Sequence, residues 1–180
     1  MHYLKMLKSA VALGCSLMLT SSSIFADTAK QENSTNGFIV FGDVEGSVID
    51  FPVCRIPAIE GKYYFGDPVG CRDNDYNAMM FINVPSALTV TVFDDGGCER
   101  DGDVPNNWEF AITTVKNPTT SGDGDVSIPG NWITFYKIWL TPDNTVVEPG
   151  VMKSGRWKRP PPSTMPNLHN EASCALVERK

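Results

Sequence analysis

Carboxylates are the residues of this chain with the clearest capacity for chemistry. Positions 94–103 read Asp-Asp-Gly-Gly-Cys-Glu-Arg-Asp-Gly-Asp, and Asp94, Asp95, Asp101 and Asp103 form a candidate metal site. A hard cation such as Ca2+ takes about six to eight oxygens, and Asp-Gly-Asp turns supply carboxylate and carbonyl oxygens together. Asp123-Gly124-Asp125 could add a second edge. The spacing does not follow the EF-hand loop, whose ligands alternate at fixed positions. Asp and Gly are also the default residues of tight turns. Ca2+ is the one cofactor that the sequence suggests.

Other catalytic schemes find little material. The chain has no GxSxG elbow, no HExxH and no phosphate-cradling glycine loop. Past position 26 the single histidine is His169, in a Pro/Asn-rich stretch where it reads as a surface residue. The cysteines there are Cys54, Cys71, Cys98 and Cys174. Four cysteines in an exported chain imply two disulfides with three possible connectivities. We favour Cys71 with Cys98, clamping the base of a hairpin, and Cys54 with Cys174, tying down the C-terminal stretch. Zinc lacks a CxxC pair and a second histidine. With the thiols oxidised and one imidazole left, Ser–His and Cys–His nucleophilic schemes have almost no material. A glycosidase needs only two suitably spaced acids, so a carboxylate-based glycan hydrolase is the enzymatic alternative to an expected non-enzyme.

A third group is basic. Lys153-Ser154-Gly155-Arg156-Trp157-Lys158-Arg159 combines Arg and Trp, the residues enriched at binding hot spots. Arg156, Trp157, Lys158 and Arg159 are therefore candidate contacts for a partner protein or glycan, or for anionic lipid. The competing expectation is that the segment folds back on the protein's own acidic middle, with Arg156 stacked on Trp157. Burial of such a basic stretch is not expected.

The elements that must position these groups begin after an export signal. Lys5 and Lys8 precede an apolar run over 10–19, which passes through a polar stretch into Ile24-Phe25-Ala26. A basic head, a short hydrophobic middle and a small terminal residue make a secretory signal peptide, 1–26. The run is shorter than the ~20 residues a membrane helix requires. The mature chain then starts near Asp27 in an oxidising compartment, secreted or periplasmic, where cysteines pair. Leu13-Gly14-Cys15 offers a second reading as a lipoprotein box, opposed by Ala12 in place of Leu and by apolar residues continuing through Leu19. All 21 acidic residues and 13 of the 15 basic ones follow position 26, leaving a formal charge of −8. That charge argues against nucleic acid as a partner. The middle of the chain, 67–125, holds eleven acids against Arg72, Arg100 and Lys116, whereas 126–180 is net basic.

Residues 27–36 are polar and aperiodic and read as a flexible leader. Short runs rich in β-branched and aromatic residues follow at 38–41, 47–51, 63–65, 78–84, 88–93, 108–115 and 132–140, with a weaker one at 145–147. Several alternate as half-buried strands do. Leu88, Val90 and Val92 fall on one face, as do Trp108, Phe110 and Ile112, and Trp132, Thr134, Tyr136 and Ile138. No stretch sustains a helical period for three turns, and Gly and Pro punctuate the chain throughout. The expectation is an all-β antiparallel sandwich over 37–150. A basic, Pro-rich tail, 151–180, follows, tied down by a disulfide. Within it 151–158 could be a last short strand or a loop, and 174–177 an edge strand.

Between Cys71 and Val115 the chain resembles small exported bacterial proteins with a βγ-crystallin-like Greek-key domain. The resemblance is carried by Cys71, Asn74-Asp75, Asn83-Val84-Pro85, the strand 89–94 and Asn107-Trp108-Glu109 leading to Ile112. It implies a sandwich of paired Greek keys serving as a calcium-binding or structural module without catalysis. The family's calcium signature, two Asn/Asp, two variable positions and two hydroxyl-rich positions ending in Ser, is not met. Asn106-Asn107-Trp108-Glu109 runs into Phe110-Ala111, and Asn74-Asp75-Tyr76-Asn77 into Ala78-Met79.

Overall fold

Alternation of apolar and polar side chains translates into two antiparallel sheets. The computed structural model describes residues 37–66, 70–99, 107–158, 165–169 and 171–179. The expected signal peptide and the leader lie outside them. One sheet has the order β2-β1-β4-β7, from β1 (Phe38–Glu45), β2 (Val48–Pro57), β4 (Ala78–Ile82) and β7 (Ile133–Thr134). The other has the order β3-β10-β5-β6-β9-β8. It is built from β3 (Gly61–Tyr64), β5 (Leu88–Phe93), β6 (Trp108–Thr114), β8 (Val146–Glu148), β9 (Val151–Lys158) and β10 (Cys174–Arg179). Every named pairing is antiparallel.

The main core lies between the sheets. Leu88, Val90 and Val92 of β5 and Trp108, Phe110 and Ile112 of β6 enter it from one side, and Ile39, Phe41, Ile56, Met79 and Phe81 from the other. The period of two predicts both faces. Trp108 stacks on Phe110 with ring centroids 5.6 Å apart, and Phe135 lies 5.1 Å from Phe110. A second cluster covers the outer side of the four-stranded sheet, where Val40, Ala78 and Met80 pack under Trp132. The loop carrying Trp132 is pinned by reciprocal backbone bonds between Val84 and Thr119 and by Ser121 N–H donating to Phe81 O. Gly42 makes this cover possible, since a Cβ there would meet the Trp132 ring at 2.6 Å.

Three expectations are corrected. The run 132–140 is not one strand: after β7 it becomes α1 (Phe135–Leu140). Thr134 caps it, accepting from Lys137 N–H. Phe135, Ile138 and Trp139, spaced i, i+3, i+4, bury one side. Second, the sandwich does not end at 150. β9 pairs with β6 along its length, and β10 is an interior strand between β3 and β5 rather than an edge. Third, the disulfides are Cys54–Cys71 and Cys98–Cys174, with Cα–Cα distances of 4.9 and 5.3 Å, not Cys71–Cys98 and Cys54–Cys174. The strand order decides this. β10 comes to lie against β5, so Cys174 pairs in register with Phe93 and meets Cys98 just beyond that strand. Cys54 belongs to β2 of the other sheet.

Candidate functional site

Asn77, immediately before β4, sits where β1 bulges between Phe41 and Asp43. Its backbone joins β1 to the start of α1: Asn77 N–H donates to Gly42 O, and Phe135 N–H donates to Asn77 O. Its side-chain oxygen accepts from Val44 N–H at 2.9 Å, which fixes the orientation of the amide. The amide nitrogen therefore donates, at 2.5 Å to Asp43 Oδ1 and at 3.0 Å to His169 Nδ1, with Val44 O at 3.4 Å. His169 Nε2 in turn lies 3.3 Å from Glu45 Oε1. In the neutral imidazole this makes Nδ1 the acceptor and Nε2–H the donor toward Glu45. His169, read from sequence as an ordinary surface residue, is thus held at both ring nitrogens.

Beside this network opens a cleft of about 520 Å³, lined by Val44, Asn77, Thr134, Tyr136 and the segment 165–169. Its volume falls in the range of small-ligand sites. Tyr136 and Met165 remain 58% and 41% exposed there, while Leu168 is buried in the main core and anchors the segment. The cleft presents apolar surface with an amide and an imidazole at its edge. The Thr134 hydroxyl is engaged in capping α1.

The acids expected to bind metal are placed differently. Asp94, immediately after β5, accepts from Trp108 N–H at 2.9 Å and holds the start of β6. Burial first, and then the neighbouring Glu171 and Asp95 carboxylates, push its carboxyl up to about 7. Asp95 accepts from Gly97 N–H at 2.7 Å, closing a turn. Asp101 and Asp103 lie outside the described residues. Asp123 and Asp125 also form local turns: Asp123 accepts from Asp125 N–H and from the Asn131 amide, and Asp125 accepts from Ser127 N–H and Oγ. The bonds to Ser127 hold the Asp125 carboxyl below the usual range.

The basic stretch is a strand, and much of it faces the molecule's own backbone. Lys153 is fully buried; its Nζ donates to Trp139 O at 2.9 Å and Thr141 O at 2.6 Å, with Asp143 Oδ1 at 3.3 Å. Desolvation and the nearby Arg156 charge lower its pKa. Arg156 also donates to Trp139 O, at 2.7 Å, and its guanidinium lies 5.5 Å from the centre of the Trp139 ring, not over Trp157. Both cations meet the carbonyl end of α1, where unpaired C=O groups attract positive charge. Lys158 is 8% exposed, which overturns the expectation that this stretch stays unburied. Trp157 is half-buried and pairs in register with Glu109. Arg159 lies outside the described residues.

No family model, curated protein or solved structure matches the chain. The site rests on its own geometry. Among the described residues no helix is long and apolar enough to cross a membrane, which says nothing of strand-built spans. Sequence reasoning missed Asn77, Asp43, Glu45 and Tyr136. One signal was available: Asp43 and Glu45, two apart in a strand, share a face. The partner that gives them meaning arrives from residue 169, and no local pattern announces it.

Proposed function

We propose that the protein is an exported, non-enzymatic β-sandwich that binds a macromolecule, a glycan chain, in the cleft between Tyr136 and residues 165–169. The observation that carries this reading is the exposed Tyr136 ring beside the Asn77 amide and the His169 imidazole. A sugar offers an apolar C–H face to an aromatic ring and hydroxyls to amide, imidazole and carboxylate groups. Two cysteine pairs at bonding distance support folding in an oxidising compartment, in keeping with the signal-like N-terminus. The βγ-crystallin-like Greek-key arrangement belongs to the same reading, supported by a chain that passes from β3 to β4 and back to β5 across the two sheets. Binding at Arg156, Trp157, Lys158 and Arg159 is secondary to the cleft, because Arg156 is already engaged by Trp139.

The test is binding of the oxidised protein to a panel of immobilised polysaccharides, with Tyr136→Ala beside the native chain. Saturable binding that Tyr136→Ala weakens at least about tenfold, with an unchanged unfolding midpoint, supports the cleft. Binding indifferent to Tyr136, or none across the panel, sinks it. One observation favours a second reading, the carboxylate-based hydrolase: Asp94 carries a raised pKa and Glu171 acts on it electrostatically, and a protonated acid with a nearby carboxylate suits glycoside cleavage. Hydrolysis of a bound glycan, abolished by Asp94→Asn and by Glu171→Gln, would move the protein to that class. The calcium-stabilised module, the third reading, requires a rise in unfolding midpoint with millimolar Ca2+.

A further inference from the structure

We propose that a groove at the Phe38 end of β1 binds a long-chain fatty acid, with the acyl chain on its apolar floor and the carboxylate on the Arg179 guanidinium. The inference does not depend on the glycan reading, because this groove and the cleft lie at opposite ends of β1. Phe38 and Val44 are six residues apart along that strand, roughly 20 Å at an extended rise. The groove holds about 740 Å³, within the range of small-ligand sites. Phe38, Pro57, Ile59, Ile82, Pro85 and Pro118 make its surface apolar, and Phe38 and Ile59 remain 47% and 44% exposed.

The fold itself builds the walls. Phe38 is paired on both sides, with Pro57 of β2 and Ile82 of β4. Gly37 O accepts from Ala58 N–H, and reciprocal backbone bonds between Val84 and Thr119 fix the neighbouring Pro85 and Pro118. The backbone here is already spent on its own ladder. An extended peptide adds to a sheet only where an edge is open to its N–H and C=O groups, and β1 is an interior strand. A hydrocarbon chain asks for no such partners and gains by leaving water.

Charge complementarity selects the head group. Arg179, ending β10, is the one charged side chain among the described residues of the lining. Its backbone N–H donates to Glu60 Oε1 at 2.9 Å, and among the described residues no carboxylate is ion-paired with its guanidinium. A guanidinium offers parallel N–H donors that match a carboxylate bidentately. Asn83 and Asn117 add neutral amides to the same wall. An apolar floor with one cation and two amides fits a monocarboxylate with a hydrocarbon body. Residues 27–36, which precede Gly37 in this chain, are polar and do not match that floor.

Dodecanoate titrated into the oxidised protein by calorimetry, below its micellar concentration, tests this. One molecule per chain is expected. Arg179→Gln and Phe38→Ala should each weaken binding at least about tenfold. Both side chains are exposed, so the variants should keep the native unfolding midpoint. Dodecyltrimethylammonium, with the same tail and the opposite charge, should bind at least about tenfold more weakly than dodecanoate. Tyr136→Ala, in the cleft, should bind dodecanoate like the native chain. The proposal is overturned by the absence of saturable binding, by equal affinity for the two head groups, by affinity unaltered in Arg179→Gln or in Phe38→Ala, or by its loss in Tyr136→Ala. A dimer in sedimentation that Phe38→Ala dissociates and dodecanoate leaves intact would make a second copy the occupant, and would overturn it as well.

Discussion

The turn after β5 and the corner beside β1 contain the same kind of residue and use it oppositely. At the turn, the Asp94 and Asp95 carboxylates accept backbone N–H groups of Trp108 and Gly97, 14 and 2 residues away. At the corner, Asp43 and Glu45 meet an amide and an imidazole brought from 34 and 124 residues away. Acids close together in sequence satisfy their own backbone and become turns. Acids gathered by strand pairing are left facing other side chains, and there a ligand can enter. Density of carboxylates along the chain is therefore a poor guide to a binding site, and the number of separate segments that converge is a better one.

The largest expected effect breaks the turn region selectively. Cys98–Cys174 spans 76 residues, and loops of that size give a disulfide roughly 4 kcal/mol of stabilising effect. Replacing both cysteines by Ala should lower stability by about that amount in urea unfolding. Amide exchange should accelerate first around residues 93–99 and 173–176, where Phe93 and Leu176 pack on the bridge, and later at Asn77 and Val44. Equal acceleration at both regions would mean that the corner borrows its order from the turn.

Asn77→Ala attacks the corner. It leaves Val44 N–H without its acceptor and removes the donor to Asp43 and His169. Loss of a partly buried bonded group of this kind costs about 2 kcal/mol, read again from urea unfolding. Asn77→Asp restores the acceptor for Val44 N–H but sets a third carboxylate beside Asp43 and Glu45. It should recover only part of the loss.

Why the two regions differ in legibility follows from the same physics. The core-facing sides of β5 and β6 were readable because a period of two is local, and Leu88, Val90, Val92, Trp108, Phe110 and Ile112 all enter the main core, although the opposite sides of both strands are largely buried too. The run 132–140 satisfied both periods, alternating as a strand through Ile138 while spacing Phe135, Ile138 and Trp139 as a helix. The Thr134 cap decided between them. Lys153 and Arg156 looked like a surface for partners because a sequence shows their charge and not the carbonyl end of α1 that receives it. The corner and the disulfides depend on which strands become neighbours, and that information is not carried by any single stretch.

A third prediction uses pH to separate the regions. The folded Asp94 carboxyl, desolvated and facing Glu171 and Asp95, titrates near about 7 instead of 3.8. An acid with a raised folded pKa holds its proton more tightly in the folded state. Its stabilising contribution is therefore complete below about 3.8 and is lost as pH rises through about 7. The native protein should lose stability across that interval. Asp94→Asn, whose amide oxygen can still accept from Trp108 N–H, should flatten the decline and be the more stable protein at pH 8. A decline that survives in Asp94→Asn would place the titrating group elsewhere.

The smallest effect sharpens the comparison most. A turn closed by Asp95 Oδ1 accepting Gly97 N–H needs an oxygen, not a charge. Asp95→Asn should shift unfolding by no more than about 0.5 kcal/mol, as exposed substitutions commonly do. The chemically identical change Asp43→Asn should also be nearly silent, because an amide oxygen can still accept from Asn77. If instead Asp95→Asn erased a Ca2+-dependent rise in the unfolding midpoint, the carboxylates of the turn would be the ligands. Local backbone bonding would then not be what distinguishes a turn from a site.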